Sequence, residues 1–207
     1  MLLYYITDRK QFPGPEPRQR ELLLAKIGEA ARAGVNYIQL REKDLPVREL
    51  EALARAAVGL VRETGNVKRA TRLLINSRSD VALAARADGV HLPSGDISAS
   101  DARAVWSPRH AVIAVSCHTA EEVRQAEARG ADFAVFGPVF EKVGTSLSVG
   151  LEALHAACLG PLPALAIGGV TLQNARACIA AGAAGIAAIR LFQQDDVAKL
   201  VEQLNPV

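Results

Sequence analysis

A glutamine, an arginine and a lysine occupy every second position of QLREK, as Gln39, Arg41 and Lys43, at the end of an otherwise apolar run. In an extended chain alternate side chains share a face, so Gln39 and Arg41 point one way while Ile38 and Leu40 pack the other. Lys43 reaches the same opening if the extended course persists into the loop. A guanidinium set among apolar neighbours demands anionic company. Two compatible arrangements meet that demand. Arg41 can pair with a carboxylate such as Glu42 or Asp8, leaving Lys43 a solvated loop charge. Alternatively, three donors gather around a phosphate or diphosphate, to which arginine's planar fork and lysine's mobile charge are complementary.

Other segments carry polar groups at comparable places. In AIGGV, Gly168 and Gly169 run directly into a helix expected near Thr171, and remove side chains where an anion could approach backbone N–H groups. A tight chain connection would use the same two glycines. GIAAIR ends at Arg190. In VSCHT, alternation puts Ser116 and His118 on one side and Cys117 on the other; the imidazole can donate or accept a proton, or serve only as a capping or loop residue. Cys117 reads as a small hydrophobe rather than a nucleophile. Asn76 of LLINSR can orient a heterocycle through its amide, and Asp96 of GVHLPSGD can bind Mg²⁺ beside a substrate phosphate. His91 suits a hydrogen-bonded interior position as well as a ligand contact. Together these groups lead to the expectation of a phosphorylated small molecule.

The elements that must position them follow from periodicity. Strand candidates are LLYYITD (2–8), VNYIQLR (35–41), TRLLINS (71–77), DGVHLP (88–93), HAVIAVS (110–116), DFAVFGP (132–138), PALAIGG (163–169) and GIAAIR (185–190). Helix candidates lie between them at about 17–33, 47–64, 79–86, 99–105, 120–129, 150–159, 172–181 and 194–204. Ser98 with Asp101 and Thr119 with Glu122 have the capping-box form, Thr171 precedes a helix, and glycines such as Gly34, Gly65 and Gly130 mark helix ends. Eight strand–helix units predict one compact (β/α)8 TIM barrel over residues 1–207. The ends of strands seven and eight are then the common phosphate-binding corner. The rival, an open doubly wound sheet, lacks an early GxGxxG or GxxxxGKS.

Composition narrows the partners. A net charge of +2 arises from 24 basic and 22 acidic residues spread along the chain, with no charged tail. The basic stretch RETGNVKRATR (62–72) has no interleaved aromatics and reads as a solvated helix end and loop, so nucleic acid is not an expected partner. Cys117, Cys158 and Cys178 form no metal-binding spacing and suit a reducing compartment. The N-terminal run carries no basic region before its apolar residues, and no apolar run approaches a bilayer span, so a cytoplasmic location and no membrane contact are expected.

The series YYITDR, QLREKD, LLINSR, ADGVHLPSGD, VSCHTAEEV, GADFAVFGPVF, LAIGGV and GAAGIAAI covers nearly the whole chain and resembles the thiamine phosphate synthase and thiazole tautomerase (TenI) superfamily. In the synthase branch the resemblance implies that a pyrimidine diphosphate is joined to a thiazole phosphate with loss of pyrophosphate, assisted by Mg²⁺. It assigns diphosphate contacts to Gln39, Arg41, Lys43 and Ser116, an adjoining polar role to Asn76, and metal binding to Asp96. Two departures stand against it: Ser77 replaces the usual second carboxylate of an Asn-Asp pair, and Thr145 stands in FEKVGTS where a lysine is usual, with Lys142 nearby but out of register.

HLPSG looks like the tautomerase branch, which implies a proton shift that aromatises a carboxythiazole phosphate with no cofactor. There His118 matches the acid/base residue, and Gly168, Gly169 and the segment from Arg190 match the phosphate corner. The departures turn the expectation toward the tautomerase, with the complete QLREK and Asp96 pointing toward the synthase. A protein that binds thiamine precursors without turnover is the third alternative. The superfamily's barrels commonly pair through their outer surfaces, so a homodimer stands beside a monomer. The loop FEKVGTSLS suits either an active-site lid or an ordinary surface loop.

Overall fold

The computed structural model describes residues 1–63, 70–106, 111–141 and 148–205. Lys142, Thr145, most of the FEKVGTSLS loop, Gly65 and residues 64–69 of the basic stretch lie outside the described residues. Eight aliphatic segments form strands β1 (Leu2–Ile6), β2 (Tyr37–Leu40), β3 (Arg72–Asn76), β4 (Gly89–Leu92), β5 (Val112–Cys117), β6 (Phe133–Phe136), β7 (Ala164–Ile167) and β8 (Gly185–Ala188). Between them stand helices α1 (Glu16–Ala33), α2 (Val47–Glu63), α3 (Ser79–Ala85), α4 (Ala99–Val105), α5 (Ala120–Ala128), α6 (Gly150–Ala157) and α7 (Ala175–Ala180), with α8 (Arg190–Gln194) and α9 (Val197–Leu204) after the last strand.

The strands close into a barrel in chain order, which excludes the open sheet. Pairing is parallel between β2 and β3, β5 and β6, β6 and β7, and β7 and β8. Parallel neighbours need a crossover, and α1 to α7 supply one each between successive strands. No helix among the described residues is long and apolar enough to cross a membrane.

Contacts divide the chain into two compact units, Met1–Tyr4 with His91–Ala188, and Tyr5–Val90 with Ile189–Val207. In the first, Ile113, Phe133, Val135, Leu165 and Ile186 are buried along β5 to β8. The Asp132 carboxylate there accepts from Ile113 N at 2.7 Å and pairs with Arg103 of α4. In the second unit, Leu23 and Ile27 of α1 and Leu53, Ala57 and Val58 of α2 are buried. Glu29 of α1 accepts from Val197 N at 2.9 Å and so seats α9.

Ser98 Oγ accepts from Asp101 N and Thr119 Oγ1 from Glu122 N, as the capping patterns predict. Two expectations need correction. Thr171 does not open a helix: it exchanges hydrogen bonds with Asn174 in a turn, and α7 begins only at Ala175. The helix expected over 194–204 is instead two, because Asp196 Oδ1 accepts from Lys199 N and caps α9 afresh, while α8 begins as early as Arg190. Arg190 therefore opens a short helix, and β8 ends at Ala188.

Candidate active site

In the second unit, Leu40 pairs with Ile75, so Arg41 and Asn76 stand at the next step of two adjacent strands. Gln39 is buried, Arg41 half-buried and Lys43 exposed. The pairing of Arg41 with Glu42 or Asp8 does not occur. Glu42 turns away into the protein, where its carboxylate accepts from Thr7 Oγ1 at 2.6 Å, from Arg9 N at 3.2 Å and from Arg9 Nη1 at 3.0 Å. Asp8 accepts from Gln11 Nε2. Among the described residues, neither Arg41 nor Lys43 forms an ion pair.

The clamp around Glu42 fixes the backbone that carries these cations. Thr7 Oγ1 donates to Glu42 and accepts from Arg41 N at 2.9 Å. Arg9 forms a two-pronged pair with Asp44 at 2.7 and 2.9 Å, and Lys10 adds a contact to Asp44. Hydrogen bonds from Arg9 hold the Asp44 carboxyl well below the usual range. Burial pushes the Glu42 carboxyl upward, opposed by Thr7 and Arg9. The sequence reading missed Thr7, Arg9 and Asp44. The signal available was the charge complementarity of TDR and REKD, two segments 33 residues apart.

In the first unit, Ser116 ends up beside His91: His91 Nε2 lies 2.7 Å from Ser116 Oγ, and Tyr4 Oη lies 3.0 Å from His91 Nδ1. His91 is thus a hydrogen-bonded interior residue, one of the two roles its sequence context allows. His118 is exposed, with Nδ1 2.5 Å from the Gly137 carbonyl oxygen. A carbonyl can only accept, so Nδ1 carries a proton, and in the neutral ring this tautomer leaves the lone pair on Nε2. Cys117 is 1% exposed, and burial, then the nearby Glu122, pushes its thiol up to about 12, which suits packing and not nucleophilic attack.

Gly168 and Gly169 satisfy a demand of the chain itself. Their φ values are +93° and +63°, and an added Cβ would lie 2.5 Å from Pro138 Cβ at the first and 2.7 Å from the Glu141 carbonyl oxygen at the second. Val139 N and Phe140 N donate to the carbonyls of Ile167 and Gly168, so the segment after β6 lies directly against this turn. A tight connection therefore accounts for both glycines. Because the Thr171 turn intervenes, they do not run directly into α7. Arg190 is exposed and forms no ion pair among the described residues.

Asp96 is half-buried, and its Oδ1 accepts from Ile97 N at 2.8 Å. Among the described residues no group of three or more His, Cys, Asp or Glu side chains could hold a metal. Mg²⁺ needs no such cage, since one or two carboxylates with substrate phosphates and water suffice. Asp96 supplies one. Ser77 offers a hydroxyl on a left-handed backbone, φ +62°, a conformation that Asn and Asp adopt more readily. The donor set fits an ion held chiefly by a substrate's phosphate oxygens, and does not fit one coordinated by two chain carboxylates at these positions.

Closed (β/α)8 barrels with polar groups at the carboxyl ends of their strands form a broad class of small-molecule enzymes. The family model described as thiamine monophosphate synthase matches residues 3–192, and the chain belongs to that family. It is 44% identical to the putative thiamine-phosphate synthase of Geobacter sulfurreducens, over 93% of this chain and 87% of that protein. It is 39% identical to the thiamine-phosphate synthase of Moorella thermoacetica, over 86% and 84%. The solved thiamine phosphate pyrophosphorylase from Pyrococcus furiosus is similar at 33% identity and a TM-score of 0.81, covering 98% of this chain and 93% of that one. Membership places the chain in thiamine-phosphate biosynthesis.

Proposed function

We propose that the chain is a thiamine-phosphate synthase, joining a pyrimidine diphosphate to a thiazole phosphate with release of pyrophosphate. This reverses the preference for the tautomerase that the sequence departures suggested. The observation that carries it is the state of QLREK. Glu42, the one carboxylate within that motif, is committed to Thr7 and Arg9, which leaves Arg41 and Lys43 without a carboxylate partner among the described residues. Two cations so placed suit a diphosphate, which gathers more negative charge in one group than the single phosphate or the carboxylate of a carboxythiazole phosphate. The synthase names of the relatives support the same choice.

In this reading the bond from the pyrimidine's side-chain carbon to the diphosphate oxygen breaks, its electrons leave with pyrophosphate, and the thiazole nitrogen bonds to that carbon. Charge gathers on the departing oxygens. Gln39, Arg41, Lys43, Asn76 and Ser116 bind and orient that group, and fixed donors there lower the barrier because they need no rearrangement during the step. Gly168, Gly169 and Arg190 are proposed to receive the thiazole's phosphate. Asp96 would hold Mg²⁺, which when bound offsets charge on the diphosphate. Incubation with both substrates and Mg²⁺ tests the proposal. Thiamine phosphate and pyrophosphate are expected in equal amounts, and their absence with folded protein overturns it.

One observation favours a second reading. The Nδ1–H of His118 is directed at the Gly137 carbonyl, so Nε2 stands ready to take a proton, as a tautomerase acting on a carboxythiazole phosphate requires. That reaction would persist in chelator and fall in His118→Ala. Tight precursor binding with neither conversion would instead identify a binding protein.

A further inference from the structure

The interior of the first unit contains a hydrogen-bonded chain that diphosphate binding alone does not explain. Tyr4 and His91 are 0% and 3% exposed, while Ser116, at the end of β5, is half-buried. Tyr4 Oη, both ring nitrogens of His91 and Ser116 Oγ follow one another at 3.0 and 2.7 Å. The Tyr4 ring is held edge-on by Phe133 at a centroid separation of 5.5 Å. Hydroxyl rotation is the one soft degree of freedom of a serine at a binding site, and here a buried imidazole is in position to fix it.

We propose that His91, set by Tyr4, is a positioning residue that holds the Ser116 hydroxyl as a donor toward the diphosphate. The inference rests on the synthase reading, in which Ser116 contacts that group. Proton counting gives the direction of the chain. A diphosphate oxygen has no proton to give, so the single Ser116 proton goes to it. Ser116 Oγ must then accept its second hydrogen bond, and the donor within reach is Nε2–H of His91. A neutral imidazole carries one N–H, so Nδ1 accepts, and Tyr4 O–H donates to it. Were the direction reversed, Ser116 would present its lone pairs to an anion. The same rule applied to His118 gives the opposite tautomer, with the proton on Nδ1.

Two measurements test this. In ¹⁵N-histidine NMR of the unaltered protein with inorganic pyrophosphate and Mg²⁺, His91 is expected as the Nε2–H tautomer and His118 as Nδ1–H. A His91 proton on Nδ1, or a His91 imidazolium, overturns the inference. The second is a double-mutant cycle on pyrophosphate affinity. Ser116→Ala and His91→Leu each weaken binding about tenfold, the scale of one hydrogen bond to a charged group. In the Ser116→Ala background, His91→Leu adds nothing. A purely structural role for His91 would weaken binding equally in both backgrounds, and that result overturns the inference. Should His91→Leu not fold, the NMR result on the unaltered protein decides. Pyrophosphate binding that is lost in Arg41→Ala, together with a failed tautomer or cycle, removes the inference and leaves the synthase reading intact. Pyrophosphate that does not bind, or binds equally well to Arg41→Ala, removes both.

Discussion

Glu42 lies between two cations in sequence and belongs to neither. Its side chain is 2% exposed and that of Arg9 is 4% exposed, so their contact is a buried pair. Removing one member leaves a desolvated charge, and Glu42→Ala is expected to cost about 3 kcal/mol in denaturant unfolding. Thr7→Val strands the Arg41 N–H and leaves Glu42 Oε1 with only the Arg9 N–H, for a loss of about 2 kcal/mol. Arg41→Ala, in contrast, is expected to leave stability nearly unchanged and to lower kcat by about 10²-fold, as when one charge-stabilising donor is removed. Ser77→Asp introduces the second carboxylate on a backbone that suits it, so turnover should saturate at lower Mg²⁺ than in the parent protein. Alternation assigns Gln39 and Arg41 a common face, and in the structure the first is buried and the second half-buried. It could not show what Glu42 does, because local sequence offers the neighbouring arginine while the fold offers one from 33 residues away.

Among the elements, all eight strands were legible, since each combines a short aliphatic run with a following amphipathic stretch. The errors cluster where side chains cap the backbone. The Thr171–Asn174 turn takes hydrogen bonds that a helix start would need, and Asp196 begins a new helix inside a stretch whose periodicity reads as continuous. Asp196→Ala should therefore fray α9 at a cost of about 1 kcal/mol, measurable by amide exchange at Val197–Leu204. The glycines after β7 suit either anion approach or a tight connection on sequence alone, and their left-handed φ and the chain packed against them already require glycine. Gly168→Ala is expected to destabilise by about 2 kcal/mol or more before any effect on a ligand is felt. Loss of activity in that variant would carry weight only beside its unfolding curve.

Across the whole molecule, acid stability divides by sign. Asp44 and Asp80 have carboxyls held below the ordinary 3.8 by Arg9 and Arg78, so their contribution is present above that value and is lost as pH falls below it. Glu42 acts in the opposite sense: with its carboxyl raised above 4.5, protonation on acidification favours the folded state, and that contribution is lost as pH rises through the raised value. Asp44→Asn should therefore flatten the acid limb below pH 3.8, although solvent screening of a side chain 42% exposed keeps the change small. The barrel itself decides little about chemistry, since one architecture hosts many reactions. What separates the alternatives is whether the cations of QLREK meet a diphosphate. The most direct test supplies the pyrimidine diphosphate and the thiazole phosphate with Mg²⁺ and follows pyrophosphate and thiamine phosphate together. One of each per turnover, abolished by chelator and cut about a hundredfold in Arg41→Ala, is the expected result. Folded protein that forms neither, while interconverting carboxythiazole isomers in a His118-dependent manner, would contradict it.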